Sequence, residues 1–332
     1  MSTHYHKLEA TELTTNYRKA LRKVKAIEPA PTGQQVLVKN EVAGINASDV
    51  NMIAGRYFAG VKPPFDLGFE FAGTVEAVGE EVAHLEPGAA VMGIRPGGGF
   101  REYVTMDAAT LIPVPAPSPE LMALLTVGLA ASIGLRVVGE MGSEEKVLVT
   151  AAAGGVGHLA VQLAKQAGNV VIGTCGSDEK ADLLRGLGCD RVINYRNEDV
   201  DRVLTEEFAD GIDLVLENVG GPLFDTCVKH LARRGRVVVS GFVGEYVDGA
   251  VSVDAPRIYH QLLWKSASVR AFLFSDYPEH IQTHLEKLIG QVASGELQVQ
   301  IDPTPFRGLD AVADAMDHLF ARRNRGKVTV RL

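Results

Sequence analysis

The chain has 332 residues, 46% of them hydrophobic and 22% charged, with a formal net charge of -8. That is the composition of a globular protein long enough for about two domains at roughly 150 residues each, and its acidic balance excludes the basic footprint of a nucleic-acid or anionic-membrane binder. Three cysteines, Cys175, Cys189 and Cys227, stand far apart without a CxxC pair, which argues against a disulfide framework or a thiolate zinc site and for a reducing compartment.

The first 25 residues are polar and carry Glu9 and Glu12. They read as neither a secretory signal nor a transit peptide. No apolar run is expected to reach the roughly 18 residues of a membrane span, so a soluble, cytoplasmic protein is expected. Residues 35–115 alternate short valine-rich runs (QVLVKNEVAGI, FAGTVEAVGEEV, REYVTM) with glycine and proline turns, the pattern of antiparallel strands. PVPAPSPE, 113–120, punctuates the chain before a helical stretch, LMALLTVGLAASIGLRVVGE.

From Lys146 apolar strands alternate with amphipathic helices: VLVTA, VVIGT, RVIN, DLVLEN, VVVSG and SVRAF, with helices between the first five. Six such strands predict an α/β fold with a doubly wound parallel sheet. After Phe274 the pattern turns helical and closes with FRGLDAVADAMDHLFARR and a strand, GKVTVRL. This tail is expected to return to the first domain, giving residues 1–130 and 274–332 as one domain and 131–273 as the nucleotide domain.

Between VLVTA and the next helix lies Ala152-x-Gly154-Gly155-Val156-Gly157. Glycines there let the backbone approach a pyrophosphate, and the helix N-terminus offers free N–H groups and partial positive charge. A turn that binds nothing is the alternative. NAD enzymes carry an acid about 20 residues further on for the ribose hydroxyls. Here the second strand ends Gly173-Thr174-Cys175-Gly176-Ser177, and Asp178 and Glu179 read as first-turn helix acids. Ser177, Lys180 and Tyr195 suit a 2′-phosphate, so NADPH is the expected cofactor.

GINASDVNMIAGRY, KPPFDLGFEFAG, LVTAAAGGVG, GSDEK, LGCDRVINY, ENVGG and NRGKV together resemble the medium-chain dehydrogenase/reductases, and within them the zinc-free quinone oxidoreductases and enone reductases. The resemblance implies a GroES-like substrate domain holding both chain ends, an inserted Rossmann domain with a six-stranded parallel sheet, and a homodimer. Zinc alcohol dehydrogenases place cysteine where Asn46 stands, histidine where Phe69 stands, and a further cysteine near Gly128; none is present here, so no zinc is expected. Relatives often carry Thr and Tyr where Ala130 and Ser132 stand.

The resemblance also implies the chemistry: NADPH-dependent hydride transfer to the β-carbon of a hydrophobic α,β-unsaturated ketone, such as an oxo-prostaglandin or a fatty enone. NADPH:quinone reduction is the alternative, and a non-catalytic NADPH-binding regulator is the alternative of another class. Tyr246 is carried over as a donor to the enolate or the cofactor, against packing in its loop. Asn46 is carried over as a contact to the nicotinamide or the carbonyl oxygen, against capping a turn. Tyr57 would line the substrate entrance, and Ser132 is a further candidate. Around the cofactor the match adds Val156, Asn218, Gly241, Phe242, Val243, Phe272, Leu273, Phe274 and Asn324. Phe58, Phe65, Phe69 and Leu273 suggest an apolar ligand. His280 and His284 lie four apart on a predicted helix and are read as a solvated face rather than a metal pair.

Overall fold

The computed structural model describes residues 3–57 and 60–332; Phe58 lies outside them. The chain divides into two units, residues 1–126 with 301–332, and residues 127–300.

The first unit is antiparallel. Gln35–Ile45, eleven residues long, is its central strand and pairs with Glu70–Val78, Tyr103–Asp107 and the C-terminal strand Val328–Arg331. Ala90–Ile94 and Ile112–Pro113 extend the sheet beyond Glu70–Val78. Its inward residues, Val36, Val38, Phe71, Val75, Val91, Val104 and Met106, form one apolar core. The polar N-terminus is also a strand: Thr3–Ala10 pairs with Leu21–Glu28 and with Phe65–Asp66. Charge hides this hairpin in the sequence. Arg101, 4% exposed, lies over the Tyr5 ring and pairs with Glu28 and Asp66, so ionic contacts replace the usual apolar alternation.

The second unit is the doubly wound sheet. Its order is Arg191–Asn194, Val170–Cys175, Lys146–Val149, Ile212–Glu217, Leu231–Val239, Ser268–Ala271, with every neighbouring pair parallel. The sheet order reverses beside Lys146–Val149, and ligands bind at such switch points at the carboxyl ends of the strands. The three cysteines are all free and buried. Burial raises each thiol above its ordinary range, Cys189 to about 12.

Two expectations change. The segment 274–300 belongs to the second unit. Its helix Pro278–Ala293 packs on Leu129–Ile133, burying Leu285 and Leu288, and only the chain from Ile301 joins the first unit. The helical run Pro119–Val138, 20 residues, is long and apolar enough to cross a membrane, contrary to the expectation from the sequence, yet 72% of its apolar window is buried within the protein. Most of that window is covered by the rest of the protein, as in the core helix of a folded domain.

Candidate active site

The glycine turn follows Lys146–Val149 and opens the helix Gly155–Gln166. A Cβ on Gly157 would fall 2.5 Å from the carbonyl oxygen of Ala151 and 2.6 Å from Ala152 Cα, so only glycine lets this helix start so close to the strand. The first-turn amides of residues 155–157 are left for an anion. Inside the same helix His158 is fully buried. Its Nδ1 lies 2.9 Å from the Gly154 carbonyl and its Nε2 accepts the Gln300 N–H at 3.0 Å, which fixes a neutral ring protonated on Nδ1.

Past the second strand, Ser177 caps the helix Asp178–Gly186, its Oγ accepting the Lys180 N–H. A Cβ on Gly176 would sit 2.4 Å from the Tyr195 hydroxyl, so Tyr195 closes over the end of this strand, beside Ser177. Asp178 is turned aside: Asn194 and Asn197 donate to its carboxylate at 2.7 and 3.3 Å. The strand end thus carries a hydroxyl and a phenol, with Lys180 in the helix turn that follows, and Asp178 is engaged by the two asparagines. This donor set fits a 2′-phosphate.

The next loops are tied together. Asn218 gives its side-chain amide to the Thr150 carbonyl at 2.9 Å, and its own carbonyl accepts Val243 N–H at 3.1 Å. Glu217, fully buried, accepts Val219 and Gly220 N–H and the Thr150 hydroxyl. Burial holds its carboxyl above the ordinary range. Tyr246 is 7% exposed; its hydroxyl accepts the Phe242 N–H at 3.4 Å and its ring meets Phe242 edge-on at 4.7 Å. Gly241, Phe242, Val243 and Tyr246 therefore form one loop above Asn218. Phe272 follows the last strand, edge-on to Tyr277, while Leu273 is half exposed and Phe274 partly buried.

Ser132 is 2% exposed and lies 2.7 Å from His284 Nδ1. The reading of His280 and His284 as a solvated face is therefore corrected for His284. It is partly buried, and burial, with the charges of His280, Arg136 and Lys287, lowers its pKa.

The first unit holds the other candidates. The short helix Ser48–Ile53 follows Gln35–Ile45 and sets Asn46 in the connecting turn. Asn46 Oδ1 accepts Lys327 Nζ at 2.6 Å, its Nδ2 donates to Glu70 Oε1 at 3.1 Å, and its backbone N–H donates to Asp49 Oδ2 at 2.8 Å. Lys327 and Glu70 pair at 2.5 Å with 1% and 0% of their side chains exposed, and the Thr126 hydroxyl donates to the other Glu70 oxygen. Asp49 is equally buried, its Oδ1 has no partner, and burial pushes its carboxyl up to about 7. Tyr57 accepts from Asn51 at 3.4 Å and meets the Phe69 ring edge-on at 6.2 Å; burial raises its phenol. Asn324 donates to the Gly326 carbonyl two residues on.

These residues do not fit a catalytic zinc. Phe69 offers no donor, the Asn46 oxygen is held by an ammonium, and no group of three His, Cys, Asp or Glu among the described residues is arranged to hold a metal.

Sequence reasoning missed Glu70, Asp49, Lys327, Glu217 and His158. Each had one signal: an ionisable or polar group inside an apolar strand or helix run must find a partner.

Comparison with known proteins agrees with this architecture. Residues 32–116 match the alcohol dehydrogenase GroES-like domain and residues 155–290 the zinc-binding dehydrogenase family. Prostaglandin reductase-3 of Mus musculus is 43% identical over 98% of this chain and 89% of its own. A probable quinone oxidoreductase of Leishmania amazonensis is 40% identical over 99% and 98%. Among solved structures, the Pseudomonas syringae quinone oxidoreductase superposes with a TM-score of 0.82 at 32% identity over 99% and 100% of the two chains. The Escherichia coli quinone oxidoreductase complexed with NADPH does so with 0.82 at 27% identity over 98% and 100%. The chain belongs to the medium-chain dehydrogenase/reductase superfamily.

Proposed function

We propose that this protein is a zinc-independent, NADPH-dependent reductase of α,β-unsaturated ketones. The observation that carries the cofactor is the second strand's end, where Asp178 is held by Asn194 and Asn197 while the Tyr195 hydroxyl lies over Gly176, the residue before Ser177. The relative complexed with NADPH supports it. The names of the prostaglandin reductase and quinone oxidoreductase relatives support the acceptor class. Zinc independence is supported by the donor set around Asn46.

NADPH bound at the turn supplies a hydride. Addition at the β-carbon leaves negative charge on the carbonyl oxygen, and the α-carbon then takes a proton from water. The chain's task is to meet that charge with preorganised donors. In the first unit Asn46 is assigned to it, with Tyr57 and Phe69 as an apolar wall; Tyr246, in the second unit, is assigned as donor to the enolate or to the cofactor. Quinones gather charge on oxygen in the same way and are the second reading, favoured by the quinone oxidoreductase relatives.

The test is incubation with NADPH or NADH and a panel of enones and quinones, with products identified by mass and NMR. A saturated C=C formed with NADPH preferred is the expected result. Binding of NADPH without reduction of any acceptor would turn the reading to a non-catalytic regulator.

We further propose a homodimer in the cytoplasm. Ser268–Ala271 is an edge strand, and Leu263 and Trp264 nearby are 68% and 75% exposed, which supports pairing of two copies there. Three free, buried thiols support a reducing compartment.

A further inference from the structure

Four buried polar side chains in the first unit, Asn46, Asp49, Glu70 and Lys327, are placed where the fold must go out of its way to hold them. The strand Gln35–Ile45 has glycine at position 44, where a Cβ would fall 2.2 Å from Glu70 Oε1. The missing side chain is the space the carboxylate occupies. Thr126 satisfies the far oxygen of Glu70, so the near oxygen is left for Lys327 and Asn46. An ion pair so thoroughly desolvated adds little net stability over an apolar pair of the same volume. Its effect on Asn46 is specific, however.

A lysine ammonium has donors and no acceptor. The Asn46 atom 2.6 Å from Lys327 Nζ must therefore be the amide oxygen, and the nitrogen must face Glu70. One Nδ2 hydrogen goes to Glu70 Oε1. The other has no acceptor among the described residues. A cation on the oxygen also draws electrons from the nitrogen and strengthens its N–H as a donor, an effect enlarged where water is excluded.

We infer that Lys327, anchored by Glu70, is a positioning residue that locks and polarises Asn46 as a hydrogen-bond donor to the acceptor's carbonyl oxygen. The inference rests on the proposed reductase reading. It deepens that reading by giving the site a resident cation that acts on the reacting oxygen through the Asn46 amide.

The test compares wild type, Lys327→Arg, the charge-free double variant Glu70→Gln/Lys327→Met, and Asn46→Asp, with 3-nonen-2-one as acceptor. A guanidinium still donates to both Asn46 and Glu70, so Lys327→Arg should keep kcat within about threefold. The double variant removes both charges together and should fold and bind NADPH as wild type does, with kcat lowered about 10- to 100-fold. In its complex with NADP+ and the enone, the infrared red-shift of the acceptor carbonyl seen with wild type should shrink. A double variant with wild-type kcat and carbonyl shift would overturn the inference. Should it fail to fold, Asn46→Asp decides: the carboxylate keeps an acceptor for Lys327 but has no N–H, so kcat should fall about 10- to 100-fold, and an unchanged kcat overturns the donor role. Wild type inactive on every enone and quinone would sink the reductase reading instead, a separate outcome.

Discussion

His158 bridges Gly154 and Gln300 through its two ring nitrogens, at 2.9 and 3.0 Å. The glycine turn is thereby tied to the residue just before the chain crosses into the other unit at Ile301. His158→Leu leaves the Gln300 N–H without its partner, at about 1–3 kcal/mol, while the Gly154 carbonyl keeps the backbone N–H of residue 158 and loses only its contact with the ring. We expect a lower melting temperature and roughly tenfold weaker NADPH binding, read by calorimetry. Unchanged binding in a folded variant would show that the turn holds its shape without the ring.

Asp49 gives a pH dependence with a definite sign. Burial holds its carboxyl up to about 7 in the folded protein, against about 4 in the unfolded chain. Between those values the unfolded chain releases a proton that the folded chain keeps, so this group's contribution to stability falls as pH rises through the window and is level above it. Asp49→Asn removes that slope. Urea titrations should show the variant more stable by roughly 1–3 kcal/mol at pH 8 and equal to wild type near pH 4. Parallel curves would mean that Asp49 is ionised throughout.

Lys180 sets cofactor preference under the proposed reading. Lys180→Ala should weaken NADPH about tenfold and leave NADH within twofold, since only the former carries a 2′-phosphate. Equal loss for both would point to a general effect on the helix that Ser177 caps.

Tyr246→Phe removes the hydroxyl that Phe242 N–H meets. We expect kcat on an enone to fall about tenfold with NADPH affinity kept. Steady-state kinetics with wild-type kcat would return Tyr246 to loop packing.

Trp264→Lys sets a charge on the exposed apolar face beside the edge strand. Light scattering should show a shift from dimer to monomer at micromolar concentration. A monomeric wild type would remove the basis of the dimer.

The second unit was legible because its physics is local. The central strands Lys146–Val149 and Val170–Cys175 are largely buried and read as apolar runs, and the helices after the second and third strands carry their own caps, Ser177 and Asp199. The helix Pro278–Ala293 was assigned to the wrong unit because its amphipathic pattern tells that it packs, not on what. The Asn46 site was half legible. Asn46 came from a motif in one stretch, whereas its partners Glu70 and Lys327 are 24 and 281 residues away in the chain. Such a constellation exists only once Val328–Arg331 has paired with Gln35–Ile45.

The burial of Cys175, Cys189 and Cys227 has a bearing on the protein's lifetime at work. Conjugated ketones alkylate thiolates, and they do so wherever a sulfur is both ionised and reachable. Here all three sulfurs are covered, and burial keeps each one protonated. Under the proposed reading, a catalyst with its thiols covered in this way would be spared alkylation of those sulfurs by its own acceptor.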